Sequence, residues 1–331
     1  MRYKRYAVLG SNSFAGAAFV ARALADGADV IGFNRSYESS PIFLPYLKIK
    51  SSGSYTFFQA DINHDLDSIL SQLDIFRPQV VVDFAGQGMV AESWQNPAQW
   101  YNTNIVAKVK LHDQLRVRNW LERYVRISTP EVYGSQESLL QETWQYNPST
   151  PYAVSHAAVD QSLRAFYQQY DFPVVFTRFA NFYGPGQQLY RIVPRTIIYG
   201  LLGKKLQLHG GGTSVRAFIS GVDMADAVMR SINTGVVGEA YHFSPERFLT
   251  IREIIEIICS RMDVGFEDLV EIAPDRPGKD QAYLMDSKKA RRELGWQESH
   301  TFEKGIDDTI CWVKDSFDEI SSLPLNYIHK I

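Results

Sequence analysis

RYAVLGSNSFAGAAFVARALADGADVIGFNRS, residues 5–36, reads as a strand, a glycine turn, an amphipathic helix and a second strand. The apolar run 6–9 meets Gly10, an alanine-rich segment covers 14–25, and 29–33 is again apolar. The same beat continues with strand 56–59 and helix 64–73, strand 80–84 and helix 94–117, strand 123–127 and helix 152–170, then a strand at 174–178. Strands separated by helix-length segments pair in parallel through right-handed crossovers, because each helix carries the chain back across a sheet face. The pattern predicts an α/β fold with a doubly wound parallel sheet. Past residue 178 the rhythm breaks into Gly/Pro-rich loops (GPGQQ, HGGGTS), short strands and four helical stretches, which predict a smaller α/β C-terminal lobe. We assign 1–178, with a returning segment at about 214–248, to the first domain, and 179–213 with 249–331 to the lobe.

The 331 residues suit about two domains, and 45% apolar with 21% charged residues is an ordinary globular balance. A formal charge of −3, with 34 basic residues scattered among 37 acidic ones, gives no broad basic footprint, so neither nucleic acid nor a membrane surface is expected as a partner. Cys259 and Cys311 lie in amphipathic runs far from any CxxC or His cluster. They are expected to be reduced core thiols, and no metal site is expected. MRYKRYAVLG starts a strand directly, and no run approaches the ~18 apolar residues of a membrane span, which leads us to expect a cytoplasmic protein.

Gly10, Ser13 and Gly16 fall where the first strand turns into the first helix, with Phe14 opening that helix. Backbone N–H groups and the helix dipole at such a turn hold a pyrophosphate. An NAD site usually has an acidic residue at the end of the second strand, to accept hydrogen bonds from the ribose. Here the strand ends in Phe33-Asn34-Arg35-Ser36, and Arg35 with Ser36 suits a 2′-phosphate, so the reading is NADP or NAD with NADP favoured. Asp61 and Ile62 suit the adenine edge, while Phe84-Ala85-Gly86 offers a small-residue surface to the pyrophosphate and ribose.

Ser128-Thr-Pro-Glu131-Val-Tyr-Gly134 follows the fifth strand, and Tyr152-Ala-Val-Ser-His156 opens the next helix. Together with AESWQNPAQWYNTN, PSTPYAVSHAAVD, TRFANFYGPG, GGTSVRAFISGVDMADA and DRPGKDQAYLMDSKKARRELGW, these motifs resemble the extended short-chain dehydrogenase/reductase family. Within it the chain is most similar to the nucleotide-sugar epimerase/dehydratase branch and to dTDP-glucose 4,6-dehydratases, from about residue 6 to residue 296. The resemblance implies a Rossmann domain, a bound NAD(P), and a nucleoside-diphosphate hexose oxidised at C4 by hydride transfer. It implies that Tyr152 takes the proton of the sugar hydroxyl and that Thr129, with Ser128 beside it, orients that hydroxyl. Asn181, Arg191, Arg216 and Arg276 are implied to grip the diphosphate, and a homodimer through helices 94–117 and 152–170 is implied as well.

Two departures stand out. The family's YxxxK lysine lowers the tyrosine pKa and holds the nicotinamide ribose; His156 stands there instead, one helical turn from Tyr152. A phenol with an ordinary pKa of about 10 needs a nearby cation to act as a base, and a free imidazole is that cation only below about pH 6.5. If His156 did the lysine's work, oxidation would show a narrow bell-shaped pH profile that His156→Lys would broaden. The family's Asp-Glu pair is matched by Pro130-Glu131, so Glu131 is implied as the C5 base while Pro130 has no proton for the C6 hydroxyl. A 4-epimerase, a UDP-glucuronate decarboxylase, a 4-dehydrogenase and a non-catalytic nucleotide-sugar or NADP-binding protein stay open beside the dehydratase.

Overall fold

The computed structural model describes residues 2–135, 138–274 and 284–329. In chain order it forms β1 (Arg5–Leu9), α1 (Phe14–Ala25), β2 (Asp29–Asn34), β3 (Tyr55–Gln59), α2 (Leu66–Phe76) and β4 (Val80–Asp83). A long helix, α3, follows in three segments, Pro97–Tyr101, Asn102–Ala107 and Lys108–Leu115. Then come β5 (Arg123–Ser128), α4 (Pro151–Tyr170), β6 (Val174–Phe179), β7 (Asn181–Tyr183), α5 (Ile192–Leu202), β8 (Leu206–His209), β9 (Val215–Arg216) and β10 (Phe218–Ser220). The remainder is α6 (Gly221–Thr234), β11 (Ala240–Phe243), β12 (Leu249–Thr250), α7 (Ile251–Met262), β13 (Val270–Ala273), α8 (Lys288–Leu294) and α9 (Phe302–Asp315).

Seven strands form one sheet in the order β11-β6-β5-β4-β1-β2-β3, every neighbouring pair parallel. A parallel sheet is covered on both faces, and its strands read as near-continuous apolar runs. Here one face buries Tyr6, Val8, Val82 and Val125 against α1 and α6, and the other buries Leu9, Val81, Tyr124 and Phe176 against α2, α3 and α4. β11 comes from beyond the first lobe and adds the seventh strand, beside β6. Three two-stranded sheets, β7–β10, β9–β12 and β8–β13, accompany a separate core in which α5, α7 and α9 bury Val193, Ile197, Ile254, Ile258, Ile306 and Val313.

Two expectations are corrected. The helix expected over 94–117 starts only at Pro97, after a separate turn at Val90–Ser93, and its Asn102–Ala107 segment is wound as π-helix. That wide turn carries Asn104, whose side chain accepts from Gln87 N (2.8 Å) and donates to Ser155 Oγ (3.0 Å), tying the β4 loop to α4. Of the two cysteines only Cys259 is in a core; Cys311 is on the outer face of α9 and exposed. No described helix is long and apolar enough to cross a membrane.

Candidate active site

The C-terminal ends of β1 to β4 frame a cleft of about 620 Å3, where parallel α/β sheets hold their ligands. Gly10, Ser13, Asn34, Arg35, Asp61, Ile62, Phe84, Ala85 and Gly86 all line it. Gly10 has φ 77°, and a Cβ there would lie 2.8 Å from Ala85 N and 2.9 Å from the Phe84 carbonyl carbon. Only glycine leaves that approach open. Ser13 caps α1, accepting from Gly16 N (3.0 Å) and donating to Gly10 O (2.7 Å). Gly16 serves the same turn, since a Cβ on it would sit 2.2 Å from Gly10 O. Phe14 departs from the expectation: its ring packs against Gly221 and Gly184 and not into the cleft. Ser36 contributes its carbonyl, which accepts from Asn34 Nδ2 (3.1 Å). A glycine turn, a capped helix start and the Ala85-Gly86 wall together fit the pyrophosphate of a dinucleotide.

Past that cleft, Thr129, Glu131, Tyr152 and His156 come together. Thr129 Oγ1 accepts from Glu131 N (3.3 Å) at the start of the turn Pro130–Tyr133, and the Thr129 hydroxyl acts on the Tyr152 phenol to lower its pKa. Thr150 caps α4, accepting from Ala153 N (3.1 Å), with Pro151 in the first turn. This start fixes Tyr152 two residues into the helix. Enclosure raises the Tyr152 pKa and the Glu131 carboxylate adds to the rise, while the Thr129 hydroxyl and the charges of Arg191 and Arg126 oppose it. The His156 ring lies beside the Tyr152 ring, centroids 4.5 Å apart. Burial, Arg126 and Lys108 push its pKa well below the ordinary imidazole value. That direction opposes the protonated ring which a lysine-like role for His156 would need.

Residues 8–309 match the GDP-mannose 4,6 dehydratase family. The chain belongs to that family. It is 32% identical over 292 residues to dTDP-glucose 4,6-dehydratase of Neisseria gonorrhoeae, covering 81% of this chain and 83% of that one. The crystal structure of DesIV, the dTDP-glucose 4,6-dehydratase of Streptomyces venezuelae, with NAD and TYD bound, superposes with a TM-score of 0.87 at 29% identity, covering 95% and 98% of the two chains. The Bacillus anthracis dTDP-glucose 4,6-dehydratase in complex with NAD gives 0.84 at 27%, covering 95% and 98%. The chain is thus an enzyme of the NAD-binding, nucleotide-sugar dehydratase class within the extended short-chain dehydrogenase/reductases. Both solved relatives carry NAD, and the preference for NADP gains no support from them.

The remaining expected residues of this family member are placed unevenly. Arg191 immediately precedes α5, without a capping bond from its side chain, and its charge acts on Tyr152. Asn181 is exposed at the start of β7, and Arg216 Nη1 donates to Val215 O (2.7 Å). Arg276 lies outside the described residues. Ser128 is buried with its Oγ donating to Asp160 Oδ2 (2.6 Å), so its proton is held by that carboxylate and not by the site. Sequence reading missed Arg126, Asp160, Lys108, Asp83 and Arg178, all buried beneath the site. It also missed the C-terminal segment, where His329 stacks on Trp100 at 5.4 Å and the charges of Arg35 and Arg191 reach the Tyr327 phenol. The buried charges had a signal, since Arg126 and Arg178 interrupt otherwise apolar strands; the tail had none.

Proposed function

We propose that this chain is a nucleoside-diphosphate-hexose 4,6-dehydratase that oxidises C4, removes the C5 proton and expels the C6 hydroxyl. The observation that carries the reading is the meeting of Tyr152, Thr129 and Glu131: a phenol, a hydroxyl fixed by the Glu131 main chain, and a carboxylate whose charge the phenol feels. The cradle of Gly10, Ser13 and Ala85-Gly86 would hold the nicotinamide cofactor, which would supply a hydride acceptor for C4 and a hydride donor for C6 once water has left. Tyr152 Oη receives the proton of the C4 hydroxyl, and Thr129 orients that hydroxyl. Oxidation at C4 acidifies C5, where the Glu131 carboxylate takes the proton. Pro130 has no proton to give, so the proton gained by Glu131 is the one this turn offers to the departing C6 hydroxyl; water leaves and atoms balance. Arg191, Arg216, Arg276 and Asn181 are assigned to the diphosphate, and the charge of Arg191 also acts on the phenol.

NAD is the cofactor in this reading, as in the relatives. A second reading is kept for each of two features: Arg35 beside Ser36 suits the 2′-phosphate of NADP, and Pro130 suits an epimerase or decarboxylase that expels no water. We also assign a second copy of the chain to the face of α3 and α4, where Val106 and Val154 are outward-facing apolar residues. Incubating the protein with dTDP-, UDP- and GDP-sugars and reading product masses tests the reaction. Loss of one water is the expected result. Loss of carbon dioxide, loss of two hydrogens, or an unchanged mass with a new stereocentre assigns the rival chemistry, and no product with any sugar overturns the enzyme reading.

A further inference from the structure

Beneath Tyr152, three strands and two helices each send a charged side chain to one point. Asp83 ends β4, Arg126 is its register partner on β5, Arg178 is on β6, Lys108 comes from α3 and Asp160 from α4. All five are at most 1% exposed. Lys108 Nζ lies 2.7 Å from Asp83 Oδ2, and Arg126 Nη1 lies 3.8 Å from the same oxygen. Arg126 Nε and Arg178 Nη2 lie 3.1 and 3.2 Å from the two oxygens of Asp160. Three basic groups face two carboxylates, and burial holds Lys108 down to about 8, so the two guanidiniums are the permanent cations of the cluster. Around it, His112 on α3 is kept neutral by burial, Tyr146 accepts a hydrogen bond from Arg178, and the Glu142 carboxyl, raised by burial, feels the Arg178 charge. Glu131 and Arg191 also act on Tyr152, with opposite charges.

Arg126 also reaches His156, Nη2 to Nδ1 at 3.0 Å. A guanidinium has only donors, so Nδ1 is the acceptor and the ring's single proton is on Nε2. The ring that occupies the family's lysine position is thus neutral, and the permanent charge stands one residue behind it.

We propose that the two tasks of the family lysine are divided in this chain: Arg126 is the fixed positive charge that favours the Tyr152 phenolate, and His156, locked by Arg126 as its Nε2–H tautomer, is the hydrogen-bond donor toward the cofactor ribose. Both are positioning residues, and the proposal rests on the reading that Tyr152 takes the sugar proton. An arginine stays charged throughout the working pH range, so the oxidation step loses the acid-base conflict that an imidazolium would impose. His156→Lys, which looks like a repair from the sequence, would place a second buried cation against Arg126, and like charges at that separation oppose ionisation.

Three measurements on the full chain test this. Nitrogen-15 NMR of the imidazoles, with His156 assigned by its loss in His156→Gln, should show Nδ1 unprotonated and Nε2 protonated from about pH 8 down to about pH 5.5; an imidazolium titrating near ~6.5 overturns the proposal. NAD affinity, read by tryptophan fluorescence, should weaken in His156→Ala and recover in His156→Gln, whose amide keeps a donor; equal affinity in all three overturns the donor role. Single-turnover oxidation of the sugar accepted in the product-mass screen should fall about tenfold or more in His156→Lys and recover in the reciprocal exchange Arg126→His with His156→Lys, which restores one cation and one imidazole. A His156→Lys rate equal to or above wild type overturns the role of Arg126. If no sugar is oxidised, the reaction reading fails on its own while the NMR and affinity results still decide the Arg126–His156 pair.

Discussion

Replacing Glu131 by Gln separates two effects that the geometry ties to one carboxylate. The turn should survive, because Thr129 is bonded by the main-chain N–H of Glu131 and not by its side chain. A positioned general base contributes about 10²- to 10⁴-fold, equivalent to about 3–5 kcal/mol of barrier. Solvent deuterium incorporation at C5 should therefore slow by about two to four decades. The carboxylate also raises the pKa of Tyr152. Removing its charge makes the phenol easier to ionise, so the pH limb of sugar oxidation that reports Tyr152 should move to lower pH. The assay is single turnover with paired readouts, nicotinamide absorbance for oxidation at C4 and mass or proton NMR for deuterium at C5. One variant thus improves or preserves one step while abolishing the next. If deuterium enters C5 at the wild-type rate, another group is the base; if the oxidation limb stays in place, Glu131 does not face Tyr152 as described.

The other predictions are shorter. Arg35→Asp should weaken NADP binding about ten- to a hundredfold more than NAD binding if Arg35 reads a 2′-phosphate, a charge-assisted contact being worth about 1.5–3 kcal/mol; equal losses measured by calorimetry dispose of the NADP alternative. Two fully buried imidazoles set a pH dependence of stability: His112, held at about 3 by burial, and His242, held well below the usual value by burial and Arg178. Unfolded, both take a proton near ~6.5, so the unfolded chain binds more protons and stability falls as pH drops below that value, continuing until the folded pKa is reached. Between pH 7 and pH 5.5 the two should remove about 2.5 kcal/mol, read by urea unfolding; a profile flat in that interval contradicts their neutral burial.

The sheet was legible because its signal is local and repeated. Apolar strands, a glycine turn and helix-length spacers leave few topologies once crossovers are right-handed. Gly10 and Gly16 were legible for the same reason, since a cradle is a backbone property and glycine marks it. What escaped was every feature that depends on a neighbour distant in sequence. Ser128 reads as a site hydroxyl until Asp160, 32 residues on, is seen to take its proton. Phe14 reads as cleft-lining until Gly221 supplies a flat surface for its ring. The break before Pro97 was written in the proline itself, but the π-helical turn at Asn102–Ala107 was not, because its cause is the tie from Asn104 to Gln87 and Ser155.

His156 is the sharpest case. Within its own helix it reads as a lysine lost, and the local inference is an enzyme weakened or silenced. Arg126, 30 residues earlier, is invisible to that inference because a strand arginine by itself reads as an edge or surface residue. Register changes its meaning: β5 pairs Arg126 with Asp83 on β4, and β6 sets Arg178 opposite Ser128, so the sheet itself gathers the charges under α4. Ions this deeply buried are costly and are a poor way to stabilise a fold, since well-packed apolar residues serve as well or better. Their concentration directly behind one phenol, on rigid strands and not on loops, is what a site needs when a fixed charge must hold its place to a fraction of an ångström. The departure at 156 and the buried guanidinium at 126 are therefore one feature of the chain, seen first from its helix and then from its sheet.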